Sequence, residues 1–323
     1  MKQKDNKQKY QEFCEENRLR IYYQPWWLDV VCCGSFNWYP LLHEVNGKVL
    51  AAHPLYVTKI AGTFKAIQMP KFTQILGPVT IDLSNISAAK RYSTEKTIYS
   101  DLISQLPDFG YFIQSFDHDF NNWLPYYWHD FTQSTKYTYV IPDISNMEKV
   151  KANFSQGKRK NINKALPLVN VRFDLPPHVF YEHHAMTLKA TGRKINYSYE
   201  LFKEMHDACL AHEAGRIIWA EDKANGAIHA ALFLIWDETS GYDLISTIDP
   251  KFINSGSTSL LVHEGIRFLS EKTRKFDFEG SMIESVEASF RQFGAVQVPY
   301  FTIKKTRSKL LRLAEFGRSI FRP

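Results

Sequence analysis

The sequence predicts an α/β (α+β) protein of two tandem domains of one type, each a mixed, mainly antiparallel sheet with flanking helices. Three observations lead there. Asn46-Gly47 and Asn225-Gly226 each separate two apolar runs, a strong hairpin signal because both residue types tolerate positive φ. Both halves of the chain follow the same order of helix, antiparallel strands, helix and one further strand. Finally, 323 residues with 44% hydrophobic and 15% aromatic content are comfortable for two cores and exclude wholesale disorder.

The elements follow in order. Residues 8–17 read as a polar helix, and Tyr22-Tyr23-Gln24-Pro25-Trp26-Trp27 is too aromatic for a solvated linker. Phe36 to Glu44 and Val49 to Ile60 form the first hairpin; a second turns near Ala61-Gly62 and returns through Lys65 to Met69. Gln74-Ile75-Leu76-Gly77-Pro78 closes an apolar segment, residues 87–106 show helical spacing, and Tyr111 to Phe116 alternates as a strand. In the second half, Asn170 to Asp174 reads as a strand, and Pro177 to Thr191 and Ser198 to His212 as helices. Arg216 to Ala220 and Ala227 to Trp236 form a hairpin, followed by a strand over Tyr242 to Ile248 and a long amphipathic helix over Ser257 to Glu271. Lys275 to Phe278 is a short apolar strand, Gly280 to Arg291 is mostly helical, and Gln297 to Lys304 is the last strand. Pro142, Ser145 and Asn146 interrupt the pattern, which places the boundary between Asp143 and Phe154. The expected domains are 1–150, completed by the tail 305–323, and 151–304.

A net charge of +6 and a pI near 8.9 suit an anionic partner such as coenzyme phosphates, tRNA or a membrane surface, without choosing among them. Cys14, Cys32, Cys33 and Cys209 have no CxxC spacing, as expected of buried thiols in a reducing compartment. No secretory h-region and no run of about 18 apolar residues is present, so a cytoplasmic protein is expected. The histidines lack HExxH or cysteine-backed spacing, and no metal site is expected. Nucleophile-elbow, Walker and dinucleotide-fold motifs are missing as well.

Four segments could carry chemistry. Trp123 to Tyr139 is densely aromatic, with Tyr127 and Trp128 at its centre; it reads either as a packing seam or as an aromatic groove between the domains that stacks a sugar or peptide. Gly157-Lys158-Arg159-Lys160-Asn161 sets bases and an amide at a helix start, where free N–H groups favour anions; the alternative is a solvated basic face. Asn254-Ser255-Gly256-Ser257-Thr258 precedes the long helix and is either a pyrophosphate cradle or a well-capped start. The fourth is Asp277 and Glu279, two apart and so on one face of the strand, with Arg291 beyond the following turn. The carboxylates could act as a base and its partner, or one could form a buried ion pair with Arg291.

Three passages occur in one order: Trp128-His129-Asp130-Phe131-Thr132-Gln133 with Tyr137-Thr138-Tyr139-Val140; Gly157 to Ala165; and Phe278-Glu279-Gly280-Ser281 with Phe290-Arg291 and Phe293-Gly294-Ala295. Together they resemble the FemAB-like acyltransferases, a branch of the GNAT superfamily. The resemblance extends from about Trp26 to Lys305 and implies two GNAT-like domains and acyl or aminoacyl transfer to an amine. The implied acceptor is a peptidoglycan precursor, sugar or peptide; the donor, a co-substrate and not a tightly bound cofactor, is acyl-CoA or aminoacyl-tRNA. The clustering of Glu279, Asp277 and Arg291 at the strand end makes them the expected catalytic residues, Arg291 standing where the family often places a lysine near phosphate or oxyanion; Tyr127, Trp128, Lys158, Arg159, Lys160, Asn161, Arg193 and Ser281 are the expected substrate contacts. Asn254 to Thr258 stand where a coenzyme pyrophosphate loop would lie, with one glycine and no arginine in place of the family's glycine-rich pattern. Charged tRNA is an implied partner; DNA is not. A non-catalytic glycan- or peptide-binding protein is the alternative. The tail alternates Lys304, Lys305, Arg307, Lys309, Arg312, Arg318 and Arg322 with Leu310, Leu311, Leu313, Phe316, Ile320 and Phe321. This basic amphipathic pattern fits either peripheral membrane contact or a helix docked on the first domain.

Overall fold

Asn46 and Gly47 take φ of 52° and 79° in the computed structural model, making the tight turn that joins β1 (Trp38–Val45) to β2 (Lys48–Ile60). The structure describes the backbone of residues 2–60 and 62–320, and side chains of 5–60 and 62–314. Ala61 of the second expected turn, and the side chains of Phe316, Arg318, Ile320, Phe321 and Arg322, lie outside the described residues. The chain divides into two compact units, Met1–Lys136 with Pro299–Pro323, and Tyr137–Val298.

In the first unit α1 (Lys2–Asn17) packs on β1 and β2. A 3-10 turn (Ile21–Tyr23) and α2 (Pro25–Val31) absorb the aromatic stretch that follows, burying Tyr22, Tyr23 and Trp27. Then come β3 (Phe64–Ile67), β4 (Val79–Thr80), α3 (Ala88–Ser104), β5 (Tyr111–Ser115), α4 (Leu124–Trp128) and the start of β6 (Thr132–Ile141). The tail adds β12 (Val296–Thr306) and α11 (Lys309–Ile320). Strand order is β1-β2-β3-β5-β12-β6, with β4 beside β2. The expected aromatic run splits by side. Tyr126 and Phe131 interlock with Phe112, Phe116 and Phe120 in edge-to-face contacts of 4.9–6.0 Å. Tyr127 and Trp128 instead point to solvent, 59% and 53% exposed.

The second unit opens with the rest of β6, then α5 (Met147–Asn153) and α6 (Gln156–Ala165). Asn146 and Ser155 accept from the backbone N–H of Lys149 and Lys158, N-caps worth about 1 kcal/mol each. An antiparallel meander follows, through β7 (Val169–Arg172), β8 (Gly215–Asp222), β9 (Ile228–Trp236) and β10 (Ser240–Ile248), with α7 (Pro177–Ala190) and α8 (Tyr199–Ala211) inserted after β7. The amphipathic α9 (Ser257–Leu269) crosses over to β11 (Lys275–Asp277), which pairs parallel to β10. The strand order is β6-β11-β10-β9-β8-β7, and α10 (Glu284–Arg291) follows β11. Seven consecutive residues of β9 are buried because α9 covers one face and α7 and α8 the other. The α9 side holds the core, built from Leu260, Leu261, Ile266, Leu269, Phe276, Phe278 and Phe293.

Candidate functional site

Among the described residues each unit has a parallel strand pair joined through a helix, and the two pairs end differently. In the first unit β3 and β5 pair at Ala66↔Tyr111 and Ile67↔Phe112. Beyond that the chain closes its own gap: the Ser115 N–H donates to Met69 Sδ at 3.3 Å, and the Ser115 carbonyl accepts from the Leu76 N–H at 2.7 Å. In the second unit β10 and β11 pair from Ser240↔Lys275 to Tyr242↔Asp277 and stop. Strand β10 runs on from Asp243 to Ile248 with no strand partner on that edge among the described residues. A bulge between Asp243 and Ile245 kinks it at the point of departure. At the far end Thr187 Oγ1 accepts from the Ile248 N–H at 3.0 Å and lies 2.8 Å from the Ile248 carbonyl, so only the stretch before Ile248 is free to hydrogen-bond an extended ligand as a neighbouring strand would.

Glu279 sits at this opening. The expected strand to Phe278 ends at Asp277, and Glu279 turns into the left-handed region with φ 61°, so it does not share a strand face with Asp277. Its side chain is half-buried, with Oε1 sealed from solvent and without a hydrogen-bond partner. Burial holds its carboxyl well above the ordinary carboxylate range. A bulky residue held at positive φ and carrying an unsatisfied acid is strain of the kind found at working sites. Asp277 fixes the turn: it accepts from the Thr138 hydroxyl and, at 2.8 Å, from the Glu279 N–H. Gly280, φ 67°, lies so close to β6 that a Cβ would come within 2.3 Å of the Tyr137 carbonyl oxygen.

The basic segment points three ways. Lys158 turns inward, its Nζ 2.7 Å from Ser289 Oγ and 4.2 Å from the Phe293 ring centroid. It forms no ion pair among the described residues, and desolvation lowers its pKa to about 8. Arg159 instead donates to the carbonyls of Ala152 and Phe154, closing the end of α5. Lys160 and Asn161 face solvent, as does Arg193. Arg291 is 65% exposed and pairs with Glu287 at 3.1 Å, so neither the expected buried pair with Glu279 nor a contact with it forms. Ser281 Oγ caps the turn by accepting from the Ile283 N–H. Tyr127 and Trp128 belong to the first unit and the other expected site residues to the second.

At the start of α9 the expected cradle is partly consumed from within. Asp222 Oδ2 lies 2.7 Å from His229 Nε2, His229 Nδ1 is 2.9 Å from Ser257 Oγ, and Ser257 Oγ is 2.7 Å from Ser255 Oγ. With a proton on Nε2, His229 donates to Asp222 and accepts from the Ser257 hydroxyl, which accepts in turn from the Ser255 hydroxyl. The hydroxyls of Ser255 and Ser257 are therefore committed. Thr258 Oγ1 is sealed and unpartnered, and the Asn254 carbonyl accepts from Lys164 Nζ at 2.6 Å. Gly256, φ 84°, is packed against Asn161, whose carbonyl oxygen would be 2.2 Å from a Cβ. An anion here would meet backbone N–H groups more than side chains.

Sequence reasoning missed Asp243, which is 6% exposed at the β10 bulge; an acid inside the apolar run Tyr242-Asp243-Leu244-Ile245 was its only signal. Asp117, His118 and Asp119 converge as metal ligands could. The Arg20 guanidinium stands among them, 3.2 Å from Asp117, 2.7 Å from Asp119 and 2.7 Å from His118 Nε2, where a cation would otherwise sit. A groove of about 450 Å³ in the first unit is lined by Phe64, Lys65, Asp108, Phe109 and Arg307. Its arginine is already committed to the Phe109 ring and Asp108.

Residues 157–282 match the family described as the acetyltransferase (GNAT) domain. That span runs from the start of α6 to just past Glu279. No curated protein matches the chain. Among solved structures, FemX is similar with a TM-score of 0.65 at 12% identity, covering 91% of this chain and 95% of that one. L-PGS from Bacillus licheniformis has a TM-score of 0.57 at 12% identity, covering 98% and 97%. A conserved protein of unknown function from Bacteroides thetaiotaomicron VPI-5482 has 0.57 at 13%, covering 94% and 97%. At these identities the likeness is one of fold.

Proposed function

We propose that this chain, whose residues 157–282 match a GNAT acetyltransferase domain, is a FemAB-like enzyme that transfers an acyl or aminoacyl group to the amine of a cell-wall precursor, sugar or peptide, with Glu279 as proton acceptor. The observation that carries the reading is the buried, strained, unpartnered Glu279 carboxyl beside the open edge of β10. The donor, acyl-CoA or aminoacyl-tRNA, lies along that edge with its phosphates toward the start of α9. The amine nitrogen attacks the carbonyl carbon; a C–N bond forms as the C–S or C–O bond breaks. Glu279 takes the proton lost by the amine and returns it to the departing thiol or alcohol. A carboxyl whose pKa burial holds well above the ordinary carboxylate range is a better proton acceptor than an exposed one. No covalent intermediate is required, so orientation and charge stabilisation supply the remaining acceleration.

Lys158 is the anion-binding member of the set, holding donor phosphate or developing oxyanion. A half-buried ammonium whose direct partners are a hydroxyl and a ring face retains its full charge for a ligand. Lys158→Met is expected to raise the KM for the donor about tenfold or more. In the wild type, turnover should fall as pH rises through about 8 and the ammonium is lost. That limb should vanish in the variant; a limb unchanged by the substitution assigns the titration elsewhere.

The decisive assay offers the purified chain labelled aminoacyl-tRNAs and acyl-CoA thioesters with amine acceptors and measures amide product. Consumption of one donor class in step with amide formation supports the reading; donors left intact or merely hydrolysed sink it. We also propose that α11 touches an anionic bilayer. Leu310 and Leu313 are 66% and 67% exposed beside Lys309 and Arg312, and among the described residues no helix is long and apolar enough to cross a membrane. Flotation with anionic liposomes should be lost on truncation after Thr306; undiminished flotation excludes the tail.

A further inference from the structure

Asp243 has no part in the chemistry derived above, yet it is the most conspicuous unused group in the second unit. Ser246 Oγ donates to its Oδ2 at 2.7 Å, while Oδ1 is sealed from solvent and has no hydrogen-bond partner. The residue is 6% exposed and forms no ion pair among the described residues. Its place is set by register. Tyr242↔Asp277 is the last pair between β10 and β11, and Asp243 is the next residue along the parting strand, at the bulge. Buried carboxylates are ordinarily paired or fully hydrogen-bonded. If Asp243 served only to satisfy Ser246, an asparagine would do so without burying a charge.

Burial raises its pKa to about 6, and a cation arriving beside it would favour the ionised form. A sealed carboxyl oxygen without a donor, with no ion-pair partner among the described residues, is complementary to a ligand that supplies both charge and N–H. We propose that Asp243 recognises a primary ammonium at the parting of β10 and β11, holding the acceptor by the amine that is to be acylated or by a second amine on the same molecule. The ligand's role as acceptor rests on the acyl-transfer reading; the ammonium site itself does not. The substrate class that follows is a cationic amine, such as an amino sugar or a lysine- or ornithine-like side chain, in preference to a neutral alcohol.

The test uses the full chain and n-butylammonium chloride, with tetramethylammonium chloride at equal ionic strength as a control that lacks N–H donors. At neutral pH the wild type should melt about 2 °C higher in butylammonium than in the control. Asp243→Asn, which keeps an acceptor for Ser246, should lose that difference, and Glu279→Gln should keep it. A carbon-13 carboxyl spectrum of the wild type supplies a measurement that needs no variant: the Asp243 resonance should move with butylammonium and not with tetramethylammonium. An equal rise in Asp243→Asn and wild type, no rise in either, or an unmoved resonance each overturns the site. Failure of amide formation in the donor assay would leave these readouts unaffected, so the two ideas fail separately.

Discussion

Glu279→Gln should reduce turnover by about 10²- to 10⁴-fold, the usual contribution of a positioned general base, while making the second unit more stable at neutral pH. The two effects have one cause. The wild-type carboxyl has a folded-state pKa raised well above its unfolded value by burial. The native state therefore binds the proton more tightly than the unfolded chain, and stability is lost as pH rises from the unfolded pKa through the folded one. Glutamine has the same shape and no proton to lose, so its stability should not change over that window. The variant and wild type should melt together at about pH 4 and diverge above it, with each kcal/mol of relief appearing as roughly 2–4 °C in a unit of this size. Thermal melts across pH, paired with amide-formation rates, check both halves. An active variant removes Glu279 from the chemistry, whereas an inactive variant without the pH-dependent gain shows that its carboxyl is not desolvated.

Gly280→Ala should be among the most damaging single substitutions in the second unit, costing about 3 kcal/mol or more. Two penalties combine. The backbone has φ 67°, and the added Cβ would lie 2.3 Å from the Tyr137 carbonyl oxygen and 2.9 Å from Thr138 Cα. Both neighbours are backbone, and β6 cannot retreat without disturbing Phe276↔Ile141 and Asp277↔Val140 and the Phe278 N–H bond to the Tyr139 carbonyl. Gly192 separates the two penalties: it has φ 71°, and an added methyl would meet nothing within 4 Å. Gly192→Ala should therefore cost only about 1 kcal/mol, the left-handed penalty alone. Equal melting losses for the two alanines would refute the close approach. Since Gly280 follows Glu279 directly, its replacement should also lower activity in the molecules that remain folded.

Local chemistry made much of the fold legible. The Asn-Gly turn at 46–47, the two-residue alternation of the strands and the long apolar stripe of α9 each state their structure within a few residues. Helices α2, α4 and α5 were not anticipated, being only 7, 5 and 7 residues long; so few residues carry too little periodicity to register. The second Asn-Gly worked by a different route. Gly226 alone takes positive φ, and Asp222 organises the turn by accepting from the N–H groups of Ala224 and Asn225.

By itself the sequence determined most of the longer elements and their order, the tandem architecture and the short list of segments able to carry chemistry, because turn residues and hydrophobic periods act over a few positions. The tertiary structure decided which members of those segments can work. Lys158, Arg159 and Lys160 are indistinguishable as text, but only Lys158 turns inward to Ser289 Oγ on α10 and the Phe293 ring. Arg291 looked like the partner of Glu279, but one helical turn on α10 hands it to Glu287. The sealed, unpartnered oxygens of Glu279 and Asp243 belong to residues just past Tyr242↔Asp277, the last pair between β10 and β11. Desolvation and strand parting arise from neighbours far apart in the chain, so no local pattern records them.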